Sequence, residues 1–349
     1  MGINGLFQYL KKEHGEVFRN EHISYFAYKR VFIDISGLMY RYICVYGTVS
    51  PSAGGFPKWV NIIIDLINVL KENKVVPYVI FDGKSPIEKQ DEAINRKKQK
   101  DKHVLKVTTL KTALTNVKGN NSTEEDINIL KAELEILAKR GKIFVSYLRP
   151  AKQGIISKAD IEALDQHIQS LEKQFISIKD TDILALKTAF EQNGIPYIVA
   201  PAESEGVCCS FIKRGDGCAV ISNDSDCLVH GATLILDLDL SGKCNIVEID
   251  DVLEVLEITQ KQLIDCGILM GCDYNRHIKN NVIGPVNTFK IIKKYGSIEN
   301  IPDEKIKKDN LLVEVCRSMF NVSLENIDLT WNSNLKNENE DTIFVYEEE

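Results

Sequence analysis

Short apolar runs that end in acidic residues recur along the first two thirds of the chain. These runs are VFID (31–34), VVPYVIFD (75–82), IPYIVAPAESEG (195–206) and CAVISNDSD (218–226). Between them, residues 59–70 and 183–190 carry apolar side chains at helical spacing. Short strands that alternate with helices predict an α/β fold, with a central, mostly parallel sheet covered by helices on both faces.

Each run delivers acidic side chains to the same edge of the predicted sheet, where ligands bind in parallel α/β sheets. One acid there is typical of a helix cap or turn, but five or six crowded carboxylates would repel one another unless a cation lay among them. These candidate ligands are all carboxylates, so Mg²⁺ or Mn²⁺ is the expected ion. Their number favours two ions about 3.5–4 Å apart, an arrangement that suits in-line attack on a phosphodiester.

A helix–turn–helix pattern follows the strands. Residues 262–270 and 286–295 have helical patterns, and Asp273 and a Gly284-Pro285 turn lie between them. Amides at a helix N-terminus can donate to phosphate without reading bases, so such an element can bind a duplex backbone. Most Gly-Pro turns only cap helices, and the significance of this one depends on the acid that precedes it.

Composition restricts the partners only weakly. The 349 residues carry a net charge of -7, which argues against a polyanionic partner, yet residues 84–106 contain eight Lys or Arg and four acids. The nine cysteines form no CxxC pair and no zinc spacing, as expected for buried thiols in a reducing compartment. We also expect no membrane partner, because no long apolar run and no secretory signal are visible.

Other phosphate chemistries are disfavoured by the motifs. The chain has no GxxxxGK[ST], which disfavours a P-loop nucleotidase. The segment TLILDLDLSG (233–242) is similar to the first motif of haloacid-dehalogenase phosphatases, but it ends in Ser241 and follows four strands instead of opening the domain. We interpret it as an edge strand with outward acids.

At these motifs the sequence resembles the flap endonuclease/XPG family of structure-specific 5′ nucleases. The resemblance rests on MGINGL, VFIDISGLMY, FDGKSP, PAESEG, SNDSDCL and GCDY followed by IGP, and it covers most of residues 1–301. It implies a PIN-like 5′-nuclease fold with a helical arch insertion and a helix–two-turn–helix element. The family's metal-binding acids fall here on Asp34, Asp82, Glu203, Glu205, Asp224, Asp226 and Asp273.

The resemblance also implies contacts with DNA. Lys89 and Arg96 would touch the scissile phosphate from the arch; their spacing of seven would place both on one helix face, where they would neutralise charge in the transition state. Without the matched neighbours, a solvated basic helix would be the simpler interpretation. Tyr40 would stack on a nucleotide instead of serving as a core aromatic, and Gly2 would lie near the same site. Gly284 and Pro285 would contact the duplex, with K⁺ bound at that turn.

Several departures from the family pattern bear on substrate choice. The 120 residues between Asp82 and Glu203 indicate an enlarged arch, and the turn at 280–284 replaces the usual Gly-Ile-Gly. We expect an N-terminal nuclease region (1–105), an enlarged arch or insertion (106–180), an internal nuclease region (181–260), the helix–two-turn–helix (261–301) and a C-terminal extension with an acidic tail (302–349). No clamp-binding box is recognisable, so sliding-clamp binding is not expected.

The sequence therefore predicts a monomeric, Mg²⁺-dependent endonuclease or 5′ nuclease that acts on flapped or branched DNA in replication and repair. Flap, exonuclease, bubble and junction-resolving activities are not separated by these motifs. Two alternatives remain, a catalytically silent DNA-junction-binding scaffold and a small-molecule phosphohydrolase. The expected location is nuclear or cytosolic, where DNA is replicated, and the abundance of Ile, Lys and Asn suggests an AT-rich genome such as that of a large DNA virus.

Overall fold

The structure is a computed structural model, and it describes residues 2–48, 55–139, 156–173, 176–275, 283–306, 308 and 311–321. The chain forms two compact units, of which the first comprises Met1–Ala93 and Ile178–Glu349 and the second comprises Ile94–Ser177. The sheet lies in the first unit. Within its described residues, the second unit is helical.

The elements follow one another in the α/β order that the apolar runs predict. The strands are β1 Arg19–His22, β2 Arg30–Asp34, β3 Val76–Phe81, β4 Tyr197–Val199, β5 Ala219–Ile221, β6 Leu234–Leu236 and β7 Lys243–Val247. The helices are α1 Leu6–Glu13, α2 Ile35–Tyr46, α3 Lys58–Glu72, α4 Gln90–Lys118, α5 Glu124–Lys139, α6 Lys158–Lys173, α7 Asp180–Gln192, α8 Ser204–Arg214, α9 Asp226–Val229, α10 Ile249–Leu256, α11 Gln260–Met270, α12 Pro285–Tyr295 and α13 Val313–Phe320.

The sheet has the order β1-β7-β6-β5-β2-β3-β4. The strands from β6 to β4 in this order are parallel, which confirms the predicted parallel sheet, whereas β7 is antiparallel to both of its neighbours. Strand β2 lies between β3 and β5, where the order of strands along the sheet reverses. Ligand sites in open α/β sheets form at the carboxyl ends of the strands beside such a reversal.

The prediction of an edge strand at residues 233–242 is wrong, because β6 pairs with β5 on one side and with β7 on the other. Asp239 organises the turn that leads into β7, since its side chain accepts hydrogen bonds from the amides of Ser241 (2.8 Å) and Lys243 (3.1 Å). Asp237 and Asp239 are exposed, so the outward direction of these acids was predicted correctly.

Alternation along β2 explains how helices cover both faces of the sheet. Successive strand residues point to opposite faces. Ile33 borders a small apolar cavity together with Ile63 and Ile67 of α3, whereas the ring of Phe32 stacks on Phe211 of α8 at 4.7 Å. The apolar side chains of α3 recur at helical spacing along its buried face, which is why the prediction for residues 59–70 was correct.

The second unit has its own apolar core. It contains α5, α6 and most of α4. The core is formed by Val107, Leu110, Ala113, Leu114, Leu130, Leu134, Leu164, Ile168 and Leu171. Glu133 is buried beside this core, and its carboxylate is within 2.8 Å of Lys106 Nζ and 2.9 Å of His167 Nε2.

The two helices predicted around the Gly284-Pro285 turn are present as α11 and α12. Residues 276–282 and 322–349 fall outside the described residues, as do most of the predicted turn and the acidic tail. Across the described part of the chain, we find no helix with the length and apolar character needed to cross a bilayer.

Candidate functional site

Parallel pairing brings three strand ends together at one edge of the sheet. Asp34 is the last residue of β2, Asp82 directly follows β3, and Asp224 lies three residues after β5. Asp34 also caps α2, because its Oδ1 accepts a hydrogen bond from the Ser36 amide at 3.3 Å. Asp34 is therefore a helix cap, as is typical of a single acid at a strand end, but capping does not explain the neighbouring acids.

Glu205 and Asp226, at the starts of α8 and α9, approach the same edge beside Asp224. Glu205, Asp224 and Asp226 each offer a carboxylate oxygen within 4.8 Å of the other two. Asp226 is only 1% exposed, and among the described residues its buried Oδ1 has no hydrogen-bond partner. An unpaired buried carboxylate oxygen is costly, and a bound cation would compensate for it.

Burial and crowding shift the protonation equilibria of these acids. Burial, followed by the charge of Asp82, raises the pKa of Asp34 to about 7. Burial and the nearby Asp224 raise the pKa values of Glu205 and Asp226 well above their usual range. A divalent cation would reverse these shifts by favouring the ionised form. Because the donors are all carboxylates, the residues fit Mg²⁺ or Mn²⁺.

Two serines that sequence reasoning missed hold the acids in place. Ser204 Oγ lies 2.8 Å from Asp34 Oδ1 and 2.8 Å from Asp82 Oδ1, and the Ser204 amide donates to Asp82 Oδ1 at 2.8 Å. Ser222 Oγ donates to Asp34 Oδ2 at 3.0 Å. In the sequence, Ser204 lies in PAESEG and Ser222 lies in SNDSD, and this closeness to the acids could have indicated their role.

Lys89 lies against a second group of acids. Its Nζ is 2.5 Å from Glu203 Oε1 and 3.3 Å from Asp273 Oδ2. Burial opposes its charge, but Glu203, Glu205 and Asp273 outweigh burial and raise the pKa of Lys89.

Sequence reasoning also missed Tyr274, although it stands next to Asp273 in the sequence. Its hydroxyl donates to Glu203 Oε2 at 3.0 Å, and its ring centroid is 5.2 Å from Lys89 Nζ.

The expectation that Lys89 and Arg96 share one helix face stays a prediction. Pro86 precedes a 3₁₀ turn, Ile87–Lys89, in which the Lys89 amide donates to the Pro86 carbonyl at 3.1 Å. Lys89 therefore lies before α4, whereas Arg96 lies within it and belongs to the second unit. A spacing of seven residues corresponds to two turns only along a continuous α-helix.

Glycines allow the backbone to approach the acids closely. A Cβ on Gly2 would collide with Asp224 Oδ1, and the next amide, that of Ile3, donates to Ser225 Oγ at 2.9 Å. A Cβ on Gly83 would collide with the Ala200 carbonyl oxygen. The predicted proximity of Gly2 to the acids is thus what the structure has.

The remaining predicted DNA contacts lie on helices of the first unit. Tyr40 is 36% exposed in α2, so it is not the core aromatic of the simpler interpretation. Gly284 caps α12, Pro285 is its first residue, and the Gly284 carbonyl accepts from the Thr288 amide at 3.0 Å. An ideal Cβ on Gly5 would lie 3.1 Å from Pro285 Cγ, so the N-terminal segment packs closely against the start of α12.

Family models match both halves of this site. The XPG N-terminal domain matches residues 1–103 and the XPG I-region matches residues 194–273, so together they span more than half of the chain. The curated relatives include a probable RAD2-like endonuclease, 369L, of Invertebrate iridescent virus 6, which is 27% identical over 94% of this chain and 81% of its own length. Flap endonuclease 1-1 of Paramecium tetraurelia is 27% identical over 95% of this chain and 80% of its own length.

Solved structures share the fold. The catalytic core of Rad2 with a DNA substrate aligns with a TM-score of 0.51 and 17% identity, covering 92% of this chain and 81% of that one. Human GEN1 with Holliday junction DNA aligns with a TM-score of 0.52 and 15% identity, covering 94% and 68%. The fold is therefore the PIN-like one of flap endonucleases. From the two family models, which agree with the shared fold, we conclude that this chain belongs to the flap endonuclease/XPG family of structure-specific nucleases.

Proposed function

We propose that this chain is a metal-dependent, structure-specific DNA endonuclease with 5′-nuclease activity, which hydrolyses phosphodiester bonds at 5′ flaps or other branched DNA in replication and repair. The observation that carries this proposal is the convergence of Glu205, Asp224 and Asp226 within 4.8 Å of one another in a chain of the XPG family. Relatives that are flap endonucleases by name match along nearly the whole chain.

The expected cofactor is a pair of Mg²⁺ ions, with Mn²⁺ as a substitute. The residues that would hold them are Asp34, Asp82, Glu203, Glu205, Asp224, Asp226 and Asp273. When bound, such ions lower the pKa of a water molecule and neutralise charge on the phosphate. The buried Oδ1 of Asp226, which has no hydrogen-bond partner within the described ranges, supports this assignment. So do the raised pKa values of Asp34, Glu205 and Asp226.

Basic residues of the chain would complete the phosphate site. Lys89 lies among the acids, so its ammonium could donate to a phosphate oxygen there and stabilise the charge that develops during cleavage. We assign the same role to Arg96. Tyr40, which is partly exposed, would stack on a base beside the cut. Gly2, which lies against Asp224, would place the N-terminal backbone near the same site.

The start of α12 would bind the duplex away from the cut. Gly284 and Pro285 place a helix N-terminus at the surface, where unpaired amides favour phosphate, and K⁺ would bind at the preceding turn. These contacts carry no base specificity, so the structure of the DNA would decide the choice of substrate. We expect a monomer in the nucleus or cytosol, wherever DNA is replicated.

Cleavage assays test this function directly. A 5′-labelled double flap, a bubble and a four-way junction are incubated with the protein in Mg²⁺ and in EDTA. Cutting should require the metal. Asp226→Asn should slow it by more than about 100-fold, because loss of a residue that only hydrogen-bonds to a metal ligand already costs up to about that much. Asp250→Asn, which changes an exposed acid at the start of α10, is the matched control and should cut normally.

The same assay separates the alternative function. Tight binding of all three DNA structures without cutting, unchanged by Asp226→Asn, would contradict the nuclease and leave a junction-binding scaffold. If cutting occurs, the preferred DNA structure would show what the helical second unit selects.

A further inference from the structure

Ser204 is a buried hydroxyl that faces two of the proposed metal ligands. It is the first residue of α8 and has no solvent exposure. Its Oγ is 2.8 Å from one carboxylate oxygen of Asp34 and 2.8 Å from one of Asp82. These two acids end neighbouring parallel strands, so a single side chain connects the ends of β2 and β3.

The helix itself does not require this hydroxyl. Glu203, not Ser204, is the N-cap residue of α8, and the Ser204 hydroxyl points to the acids instead of accepting from an amide of its helix. Alanine has a higher helix propensity than serine and would serve α8 at least as well. The role of this side chain therefore has to be sought in its contacts with the two carboxylates.

A hydroxyl has one proton, so it can donate to only one of the two carboxylate oxygens at a time. Its equal distance from both lets it stabilise either oxygen while fixing their separation. The backbone holds Ser204 in this position, because its amide donates to Asp82 and the Gly83 amide donates to the Ala202 carbonyl at 2.6 Å. The close approach of Gly83 to Ala200 keeps the segment after β3 against the segment that leads into α8.

We propose that Ser204 is a positioning residue for metal binding: its hydroxyl orients the Asp34 and Asp82 carboxylates so that their remaining oxygens converge on the cation. This inference rests on the proposed function and deepens it. Hydrogen bonds from such outer-shell groups orient metal ligands, and their loss typically weakens metal affinity or activity by about 10- to 100-fold. Ser222 donates to one carboxylate, that of Asp34, and we expect a lesser effect from its loss.

The test measures metal binding without DNA. Mn²⁺ binding by electron paramagnetic resonance and Mg²⁺ binding by calorimetry are compared for the full chain, Ser204→Ala and Ser210→Ala. Ser210 is the matched control, because it is a buried serine of the same helix whose hydroxyl donates to the Gly206 carbonyl at 2.7 Å. Ser204→Ala should bind metal about 10- to 100-fold more weakly, whereas Ser210→Ala should bind as the unchanged chain does.

Cleavage kinetics provide a second readout that a purely structural role would not produce. Ser204→Ala should need a correspondingly higher Mg²⁺ concentration for half-maximal cutting, with kcat largely recovered at saturating Mg²⁺ and KM for DNA unchanged. Ser204→Thr, which restores a hydroxyl, should recover metal affinity in part or in full.

Equal metal affinity of Ser204→Ala and the unchanged chain would overturn the proposal. Unfolding of both the Ala and Thr variants, seen by circular dichroism, would also overturn it, because the side chain would then be required for the fold. Failure of the proposed function would look different: the unchanged chain would bind metal and still cut none of the DNA structures.

Discussion

Tyr274 connects the basic and acidic parts of the site at the scale of single residues. Its hydroxyl donates to Glu203, its ring lies beside Lys89, and the side chain is only 3% exposed. Burial and the charge of Glu203 raise its pKa, so the phenol stays protonated and remains a donor. Such a buried donor to a carboxylate contributes more to stability than a hydrogen bond between neutral groups.

Replacing Tyr274 with phenylalanine tests this contact. Tyr274→Phe keeps the ring beside Lys89 but removes the donor to Glu203, so the free energy of unfolding should fall by about 1–3 kcal/mol. Urea denaturation in metal-free buffer measures this change. Tyr46→Phe, at an exposed position near the end of α2, should change it by less than about 0.5 kcal/mol. An equal effect of the two variants would show that the contact to Glu203 is not stabilising.

At the scale of elements, α5, α6 and most of α4 form a unit with a separate core. Leu134 of α5 is fully buried in that core, whereas the adjacent Glu135 is exposed. Since the acids of the sheet edge lie in the first unit, the packing of the second unit can be weakened without touching any proposed metal ligand.

Leu134→Ala should destabilise the second unit by about 2–5 kcal/mol, because it opens a cavity in a small core. Hydrogen exchange should then accelerate for amides of α4, α5 and α6, while β2, β3 and β5 keep their protection. Glu135→Ala is the matched control and should leave exchange nearly unchanged. Uniform acceleration throughout the chain would mean that the two units unfold as one cooperative body.

Across the whole molecule, the crowded acids link stability to pH and to metal. The raised pKa of Asp34 means that the folded chain binds this proton more tightly than the unfolded chain does. Its contribution is fully present below the ordinary pKa of 3.8 and is lost as the pH rises through about 7. His230 acts in the opposite direction, since burial lowers its pKa to about 3 and stability is lost as the pH falls below 6.5.

The difference between the unchanged chain and Asp34→Asn isolates the acid from His230. In EDTA, the unchanged chain should lose stability relative to Asp34→Asn between pH 4 and 7, as measured by urea denaturation at each pH. Added Mg²⁺ should restore this stability at pH 7 and have little effect at pH 4, where the acid is protonated. A difference that does not vary with pH would exclude Asp34 as the titrating group.

The sheet and its acids could be predicted because each is encoded locally. Strands such as β2 are apolar runs, and Asp34 directly ends one of them. Strand β1, RNEH, has no apolar pattern. It forms because it pairs with β7, a strand that is distant in the sequence, with Arg19 opposite Ile246. The contacts of Ser204 and Tyr274 depend in the same way on distant segments. The 3₁₀ turn at Lys89, which follows Pro86 and leads into α4, was not predicted.

Gly83 shows that a loss of cutting in a mutational scan does not by itself identify a metal ligand. It has no side chain to offer a metal or DNA, yet any larger residue there would strike the Ala200 carbonyl and separate the segments that present Asp82 and Ser204. Ranked by loss of cutting, Gly83 would stand among the acids. Intolerance to substitution therefore marks two different requirements at this edge, charge at the acids and empty space at the glycine.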